Sequence, residues 1–330
     1  NLHLFDALQD QQVQTTHTRM ARIGEALQSE EFRLHYQPKV YLRSGDIIGF
    51  EALLRWQHPE DGLVGPQAFL VRANAARCAF WCRVEAGAWE PQTFEVFRRF
   101  LQPDRSYIDL GAWIGPTVLY GATLSRSVHA LEPDPVAFAE LDRNVQANPG
   151  LCKKIHLYSF GIGPESGPLQ LYAGGLYYAG RSEFGDSMSG MLAAPDVPGQ
   201  PCHEARGVDM ERFLDMYAGK DCNFIKMDIE GGEYAVIPGL WRRLWRWGPP
   251  TLCVSFHAPE IARRESLVRA CIEELLLCYP RFYAAADTKA VALEELADAV
   301  HDWGDEAPGS PWRKLEALLG AGVVATSEEW

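Results

Sequence analysis

Four ionisable side chains crowd into eight residues, Lys226-Met227-Asp228-Ile229-Glu230-Gly231-Gly232-Glu233, where an apolar run beginning at Phe224 gives way to paired glycines. An ammonium between carboxylates keeps them ionised. Carboxylates held in that state can position a hydroxyl, take its proton, or bind a divalent ion. Read as a strand, the run places Lys226, Asp228 and Glu230 on one face by its period of two. The competing explanation is an internal ion-pair network that only fixes a strand-to-helix turn, and Glu233 in a first helical turn suits the dipole in either case. His257 closes another apolar run, Leu252 to Phe256, and an imidazole titrates near neutrality, so it can accept a proton; a satisfied strand-end histidine competes on even terms. No metal site is assigned.

A second constellation precedes this one. Tyr107 and Ile108 are strand-like, and the segment Asp109-Leu110-Gly111-Ala112-Trp113-Ile114-Gly115 turns on two glycines that let backbone approach a ligand closely. About twenty residues on, Glu132 closes the next apolar run, where a carboxylate can accept both hydroxyl protons of a ribose. Three residues separate the glycines and a carboxylate precedes them, which is not the dinucleotide Gly-x-Gly-x-x-Gly pattern. The form resembles motif I of class I S-adenosylmethionine-dependent methyltransferases. The run Phe224 to Tyr234 resembles the signature of the FkbM family of those enzymes, and Glu132-Pro133-Asp134-Pro135 and Asn144-x-x-x-Asn148-Pro149 fit the same family. The resemblance covers residues 81–260.

That resemblance implies an α/β fold of the Rossmann-like, doubly wound, mostly parallel kind, with S-adenosylmethionine as cofactor. Ligands of such sheets lie at the carboxyl ends of the strands near the switch in strand order, which nominates Asp109, Glu132, Asp228, Glu230 and His257. Asp109 and Gly111 are expected to hold the methionine part of the cofactor and Glu132 its ribose, with Trp113 and Ile114 walling the site. Ala112, Gly115, Pro133 and Ile162 complete the cofactor's surroundings, and Lys226, Asp228, Glu230 and His257 form the acceptor side. Phe160-Gly161-Ile162-Gly163 lacks the aspartate that often reads adenine, so that contact stays unassigned. The resemblance also implies a hydroxyl acceptor on a small molecule, sugar or polysaccharide.

The N-terminal seventy residues have another character. Two strand-like runs, Phe32–Val40 and Ile47–Trp56, flank the turn Arg43-Ser44-Gly45-Asp46 and read as a hairpin. Tyr36-Gln37-Pro38, Glu51-Ala52-Leu53, Leu54-Arg55-Trp56 and His58-Pro59 resemble the opening of an EAL domain, the cyclic-di-GMP phosphodiesterase barrel, over residues 22–70. In that family Glu51 would be a metal ligand, and Gln37 and Arg55 nucleotide contacts. The resemblance stops near Leu70, before the barrel's further carboxylates, and a single carboxylate cannot hold a hard divalent cation. Ahead of it, Met20, Ile23 and Leu27 make a narrow helical stripe within 7–27 that looks like the link from a GGDEF domain. The expected organisation is a linker helix over 1–28, a truncated EAL-like hairpin over 29–70, a connector over 71–88 and a methyltransferase domain over 89–330.

Elsewhere strands are expected at 106–110, 127–132, 154–160, 223–229, 251–257, 281–286 and 322–326. Helical segments lie at 134–147, 208–218, 232–246 and 260–278, an alternation that argues a mostly parallel sheet. Residues 161–203, rich in Gly, Ser and Pro, read as a long irregular insertion over a site. A hydrophobic share of 47% is ample for a core, and a net charge of −13 disfavours nucleic acid. The eight cysteines form no Cys-x-x-Cys pair and read as buried free thiols of a cytoplasmic protein. No apolar run reaches the length of a membrane span.

The reading is an O-methyltransferase carrying an EAL remnant used for assembly. Its rivals are a cyclic-di-GMP phosphodiesterase or binding module, and a non-catalytic, cofactor-bound interaction protein. The hairpin carries Ile47, Phe50, Leu53, Leu54 and Trp56 on both faces and must bury them against the methyltransferase domain or a second copy, most simply in a C2 homodimer. Light scattering should then find a dimer for the whole chain and weakened association for one beginning near Ala79. An oligomer unchanged by that truncation, or phosphodiesterase turnover abolished by Glu51→Ala, would refute the assembly role.

Overall fold

In the computed structural model, the first described residues form antiparallel strands β1 (Phe32–Val40), β2 (Ile47–His58) and β3 (Gly62–Val64) in that order. Phe32 lies opposite Trp56 and Gln37 opposite Glu51, with the register breaking between Lys39 and Val40. The pairing of Trp56 with Val64 adds the third strand to the expected hairpin. Described here are residues 32–40, 47–58 and 62–64 by backbone only, and 71–330 except 72–76, 78–79, 82, 85–86, 175–183, 194–197, 219–220, 246–247, 257–264, 287–288, 293–313, 316–317, 320–321 and 330. The helix expected within 7–27 lies outside them. The chain divides into two units, Asn1–Phe69 and Leu70–Trp330.

The second unit opens with α1 (Pro91–Phe100). Pro91 sits at the first helical position, where its missing N–H costs nothing. Phe94, Val96, Phe97 and Phe100 point inward, and Arg98 and Arg99 suit the carboxyl end of the helix dipole. There follow β4 (Ser106–Leu110), α2 (Pro116–Leu124), β5 (Ser127–Leu131), α3 (Pro135–Gln146) and β6 (Ile155–Tyr158). Every residue of β4 is buried, as a strand covered on both faces requires. After β7 (Gly161–Gly163), β8 (Gly167–Tyr172) and β9 (Cys202–Asp209) come β10 (Cys222–Met227), β11 (Thr251–Val254), α4 (Glu265–Cys278), β12 (Arg281–Ala284), β13 (Ala290–Val291) and β14 (Val323–Thr326).

One sheet runs β13-β12-β14-β11-β10-β4-β5-β6. Its core, from β11 to β6, is parallel, while β14 and β12 pair antiparallel beyond it. The chain leaves β4 toward β5 and β6 and returns on the other side as β10 and β11. The switch in strand order therefore falls between β4 and β10, where an open α/β sheet leaves a crevice at its carboxyl edge. This is the α/β class I methyltransferase fold.

Three expectations change. Residues 161–203 are not uniformly irregular: β7, β8 and β9 form a separate sheet in the order β7-β9-β8. The helix expected over 232–246 breaks into Glu233–Val236 and Trp241–Leu244, because Pro238 and Gly239 intervene. Of the described thiols only Cys253 and Cys271 are buried, and Cys202 is exposed. Among the described residues, no helix is long and apolar enough to cross a membrane.

Packing around β4 is tight enough to override helix propensity. Alanine at Gly121, within α2, would ordinarily gain about 1 kcal/mol over glycine. Its Cβ would stand 2.6 Å from Tyr107 Cε1 and 2.8 Å from Cδ1. Tyr107 is fully buried and its hydroxyl is engaged with Asp109, so the ring cannot swing away. Gly121→Ala should destabilise the protein by about 1–3 kcal/mol in urea denaturation. A gain in stability would show that the ring yields.

Candidate active site

A cavity of about 410 Å³ opens at the carboxyl ends of β4, β5 and β10. Its floor is the turn after β4. There the amides of Gly111 and Ala112 donate to the carbonyl of Leu131 at 3.1 and 3.0 Å, tying the turn to the end of β5. Gly111 has φ +83°, and a Cβ on it would stand 1.8 Å from the carbonyl oxygen of Asp228. No other residue fits where the ends of β4 and β10 approach so closely. Gly115, at φ +94°, starts α2 and does not line the cavity. Asn144 Nδ2 donates to the Ile114 carbonyl at 2.9 Å and so braces the glycine turn from α3, while Asn148, just past that helix, donates its Nδ2 to the Asn144 carbonyl at 2.7 Å. Ile114 is fully buried rather than part of the cavity wall.

Glu132 reaches the cavity from the end of β5. One carboxylate oxygen accepts from the Trp113 amide at 2.7 Å and the other from the Asp134 amide at 2.8 Å. Burial pushes this carboxyl up to about 8 against the pull of those two amides, and the Asp134 and Asp109 charges add to the rise. Pro133, Ile162, Leu169 and Leu171 form an apolar wall beside it.

Beneath the turn, Asp109 is fully buried and does not reach the cavity, which removes direct contact with a ligand from its expected role. Its Oδ2 accepts from Tyr107 Oη and Thr117 Oγ1, each at 2.6 Å, and its Oδ1 lies 3.7 Å from Lys226 Nζ. Burial raises the Asp109 carboxyl, opposed by Lys226 and the two hydroxyls. Lys226 Nζ donates to Asp228 Oδ2 at 2.9 Å. Burial works against its charge, but Asp228, Asp109 and Glu90 together hold Lys226 above the ordinary lysine range, so it stays cationic. The three charges form a row, with Lys226 and Asp228 at the cavity and Asp109 under it.

The expected common face of Lys226, Asp228 and Glu230 extends only part of the way, since β10 ends at Met227. Glu230 has φ +49° and Gly231 φ +95°, so the chain turns sharply before the next helix. Glu233, also fully buried, accepts from the Ile229 and Gly231 amides at 3.2 and 2.8 Å and fixes that turn. Glu230 still lines the cavity. His257 lies outside the described residues.

Of the other walls, the sequence pointed to one, the insertion at 161–203. Phe80, Arg83, Trp89 and Glu90 line one side from the segment before and at the start of α1. The Phe80 ring meets Trp89 and Trp113 edge-on, with centroids 5.2 and 4.7 Å apart. Asp186, Ser187, Met188, Ser189 and Met191 close the cavity from the loop between β8 and β9. Its length and its content of Gly, Ser and Pro signalled that segment, whereas the wall from Phe80 to Glu90 was not assigned to a site. The arrangement offers a buried carboxylate beside apolar walls at one end and an ionised Lys226–Asp228 pair at the other. Among the described residues, no cluster of His, Cys, Asp and Glu is arranged to hold a metal ion.

Comparison with known proteins follows the same division of the chain. The EAL domain family matches residues 20–79, nine residues beyond where the resemblance was expected to stop. The bifunctional diguanylate cyclase/cyclic di-GMP phosphodiesterase MucR of Pseudomonas aeruginosa is 43% identical over 67 residues, 20% of this chain and 9% of that protein. An uncharacterized protein of Azorhizobium caulinodans is 31% identical over 150 residues, 42% of this chain and 20% of that one. The chain thus spans no more than a fifth of the length of these curated relatives. A crystal structure of methyltransferase FkbM from Methylobacillus flagellatus KT is 17% identical with a TM-score of 0.32, covering 56% of this chain and 44% of that one. The methyltransferase FkbM domain matches residues 109–278, just over half of the sequence, and contains the glycine turn, Glu132 and the Lys226–Glu233 run. The chain belongs to the FkbM methyltransferase family.

Proposed function

We propose that the cavity binds S-adenosylmethionine and that the chain methylates a hydroxyl of a small molecule, sugar or polysaccharide. The observation that carries this reading is Glu132, a buried carboxylate whose two oxygens are aligned by the Trp113 and Asp134 amides beside an apolar wall. A ribose and a purine need that combination of acceptor and wall. The cofactor supplies an electrophilic methyl group, so the protein's own task is alignment of the acceptor and removal of its proton.

In this reading Glu132 takes the ribose hydroxyls, Gly111, Ala112 and Trp113 surround the polar end of the cofactor, and Pro133 and Ile162 flank its base. Asp109 and Gly115 act from beneath by fixing the turn. Lys226 keeps Asp228 ionised, so that Asp228 can draw the proton from an acceptor hydroxyl, with Glu230 and His257 as further acceptor-side groups. Asp228 lies at the cavity with its Oδ2 2.9 Å from Lys226 Nζ, which favours it as the base. The N-terminal strands serve assembly, consistent with an EAL match of only 60 residues.

Calorimetry should show binding of S-adenosylmethionine or S-adenosylhomocysteine, weakened by about 1–3 kcal/mol in Glu132→Ala through loss of charge-assisted hydrogen bonds. Hydroxyl donors favour the ionised carboxylate, so bound ligand should lower the Glu132 pKa from about 8. Affinity should therefore rise as pH climbs toward about 8 and level off above it, whereas Glu132→Gln should give a flat profile. PH-independent affinity in the unaltered protein would remove Glu132 from the site.

On the acceptor side, alanine at Asp228, Glu230 or His257 should lower turnover of a hydroxyl acceptor more than cofactor affinity, because those contacts matter chiefly in the transition state. Normal turnover by all three variants would defeat the arrangement.

A further inference from the structure

One buried carboxylate is not used by this reading. Asp134, 1% exposed, follows Glu132-Pro133 and divides its two oxygens between separate tasks. Oδ1 caps α3, accepting from the Val136 and Ala137 amides at 2.8 and 3.2 Å. Oδ2 accepts from the Gly185 amide at 2.6 Å and from Ser189 Oγ at 2.9 Å. Both of these belong to the loop that closes the cavity with Asp186, Met188 and Met191.

The same loop is held at other points. The Gly185 carbonyl accepts from Trp113 Nε1 at 3.1 Å and from the Arg77 guanidinium. Arg77 in turn pairs with Glu140 of α3 at 3.5 Å and lies 4.9 Å over the Trp113 ring. At the far end, Gly190 exchanges backbone hydrogen bonds with Tyr172 at 2.8 and 3.0 Å and packs on Glu230, whose carbonyl oxygen would be 2.3 Å from a Cβ at that position. The loop thus runs from the end of β5 to the turn after β10, across the mouth of the crevice between them. Gly185 has φ +94°, and a Cβ there would stand 2.5 Å from Val136 Cγ1, so the loop also needs glycine where it rests on α3.

We propose that Asp134 is a positioning residue that latches the loop Gly185–Met191 as a roof over the bound cofactor and acceptor. The proposal rests on the methyltransferase reading for what lies under the roof. Its mechanical part rests on geometry alone. Glu132 couples the two, because its oxygens hold the amides of Trp113 and Asp134, the residues that anchor Gly185 from either side. A ligand drawn to Glu132 therefore finds the roof's anchors already fixed, and must wait for Gly185 to leave Oδ2 before it can depart.

Asp134→Asn separates the two tasks by one atom. Asparagine caps a helix as well as aspartate, but with its oxygen kept on α3 its amide nitrogen faces the Gly185 N–H, donor against donor. In the full-length variant, amide exchange over Gly185–Met191 should quicken about tenfold or more, since the Gly185 amide loses its charged acceptor and Ser189 Oγ keeps only a neutral donor. Exchange at Val136 and Ala137 and the melting temperature should stay near those of the parent. Dissociation of S-adenosylhomocysteine should quicken by a similar factor, with Trp113 emission shifted to the red. Gly185→Ala, which leaves Asp134 intact, should reproduce the loop's exchange and the faster release. Asp134→Ala should add fraying of the first turn of α3. Parental protection of Gly185–Met191 in both Asp134→Asn and Gly185→Ala would overturn the latch, as would exchange rising equally in α3 and the loop of Asp134→Asn. If the unaltered protein does not bind S-adenosylhomocysteine, the cofactor reading fails, while the exchange pattern still decides the latch.

Discussion

The row Asp109–Lys226–Asp228 is the constraint around which the site is organised. An ion taken out of water loses several kcal/mol of hydration, and a buried charge survives only with a partner and hydrogen bonds to its remaining atoms. Here one ammonium serves two carboxylates, Asp109 on β4 and Asp228 just past the end of the adjacent β10, and the lower carboxylate is further satisfied by Tyr107 and Thr117. That arrangement requires β4 and β10 to be neighbours in register, which they are, with Lys226 opposite Asp109. The pairing thereby fixes the place where the sheet changes direction, and the crevice follows from it. Loss of either outer carboxylate would leave Lys226 with a weaker claim to its charge. Loss of Lys226 would leave the buried Asp109 carboxylate facing the partly exposed Asp228 with no cation between them.

Much of this was legible in the sequence because it is local. Strand β4 was expected at 106–110 and lies there, since an apolar run ended by a glycine turn has few other solutions. Helix α3 was similarly expected, at 134–147, and runs Pro135–Gln146. What escaped notice depends on partners far along the chain. β8 and β9 are separated by about thirty residues, contain Pro168 and Arg206, and lack the apolar continuity of a core strand. Period-two reasoning carried Glu230 onto the face of Lys226, but the strand ends at Met227, and the left-handed turn at Glu230 and Gly231 is held by Glu233 and packs against Gly190. Asp109 carries a motif carboxylate that looked like a ligand contact, yet its lysine partner is 117 positions away in sequence.

The cavity is also composite in origin. The end that bears Glu132 is made by residues within the matched family segment, from the glycine turn to Glu132 and Ile162. Phe80, Arg83, Trp89 and Glu90 lie before that segment begins at residue 109. The Phe80 ring packs edge-on against both Trp89 and Trp113, so the segment before the matched region is built directly onto it.

The position of β14 bears on how such a sheet can assemble. Among the described strands, β12 reaches the parallel core only through β14, which lies between β12 and β11, and Thr251 and Thr326 join hydroxyls at 2.7 Å across that seam. The hairpin of β12 and β13 can form early from its own residues, but it has no place to dock until residues some seventy positions after β11 arrive. During synthesis, then, the parallel core has to wait with one edge uncovered and the hairpin undocked. A defect in β14 would be felt as slow or diverted folding and exposure to aggregation before it was felt as lost chemistry, because the site lies on the opposite side of β11 from the seam.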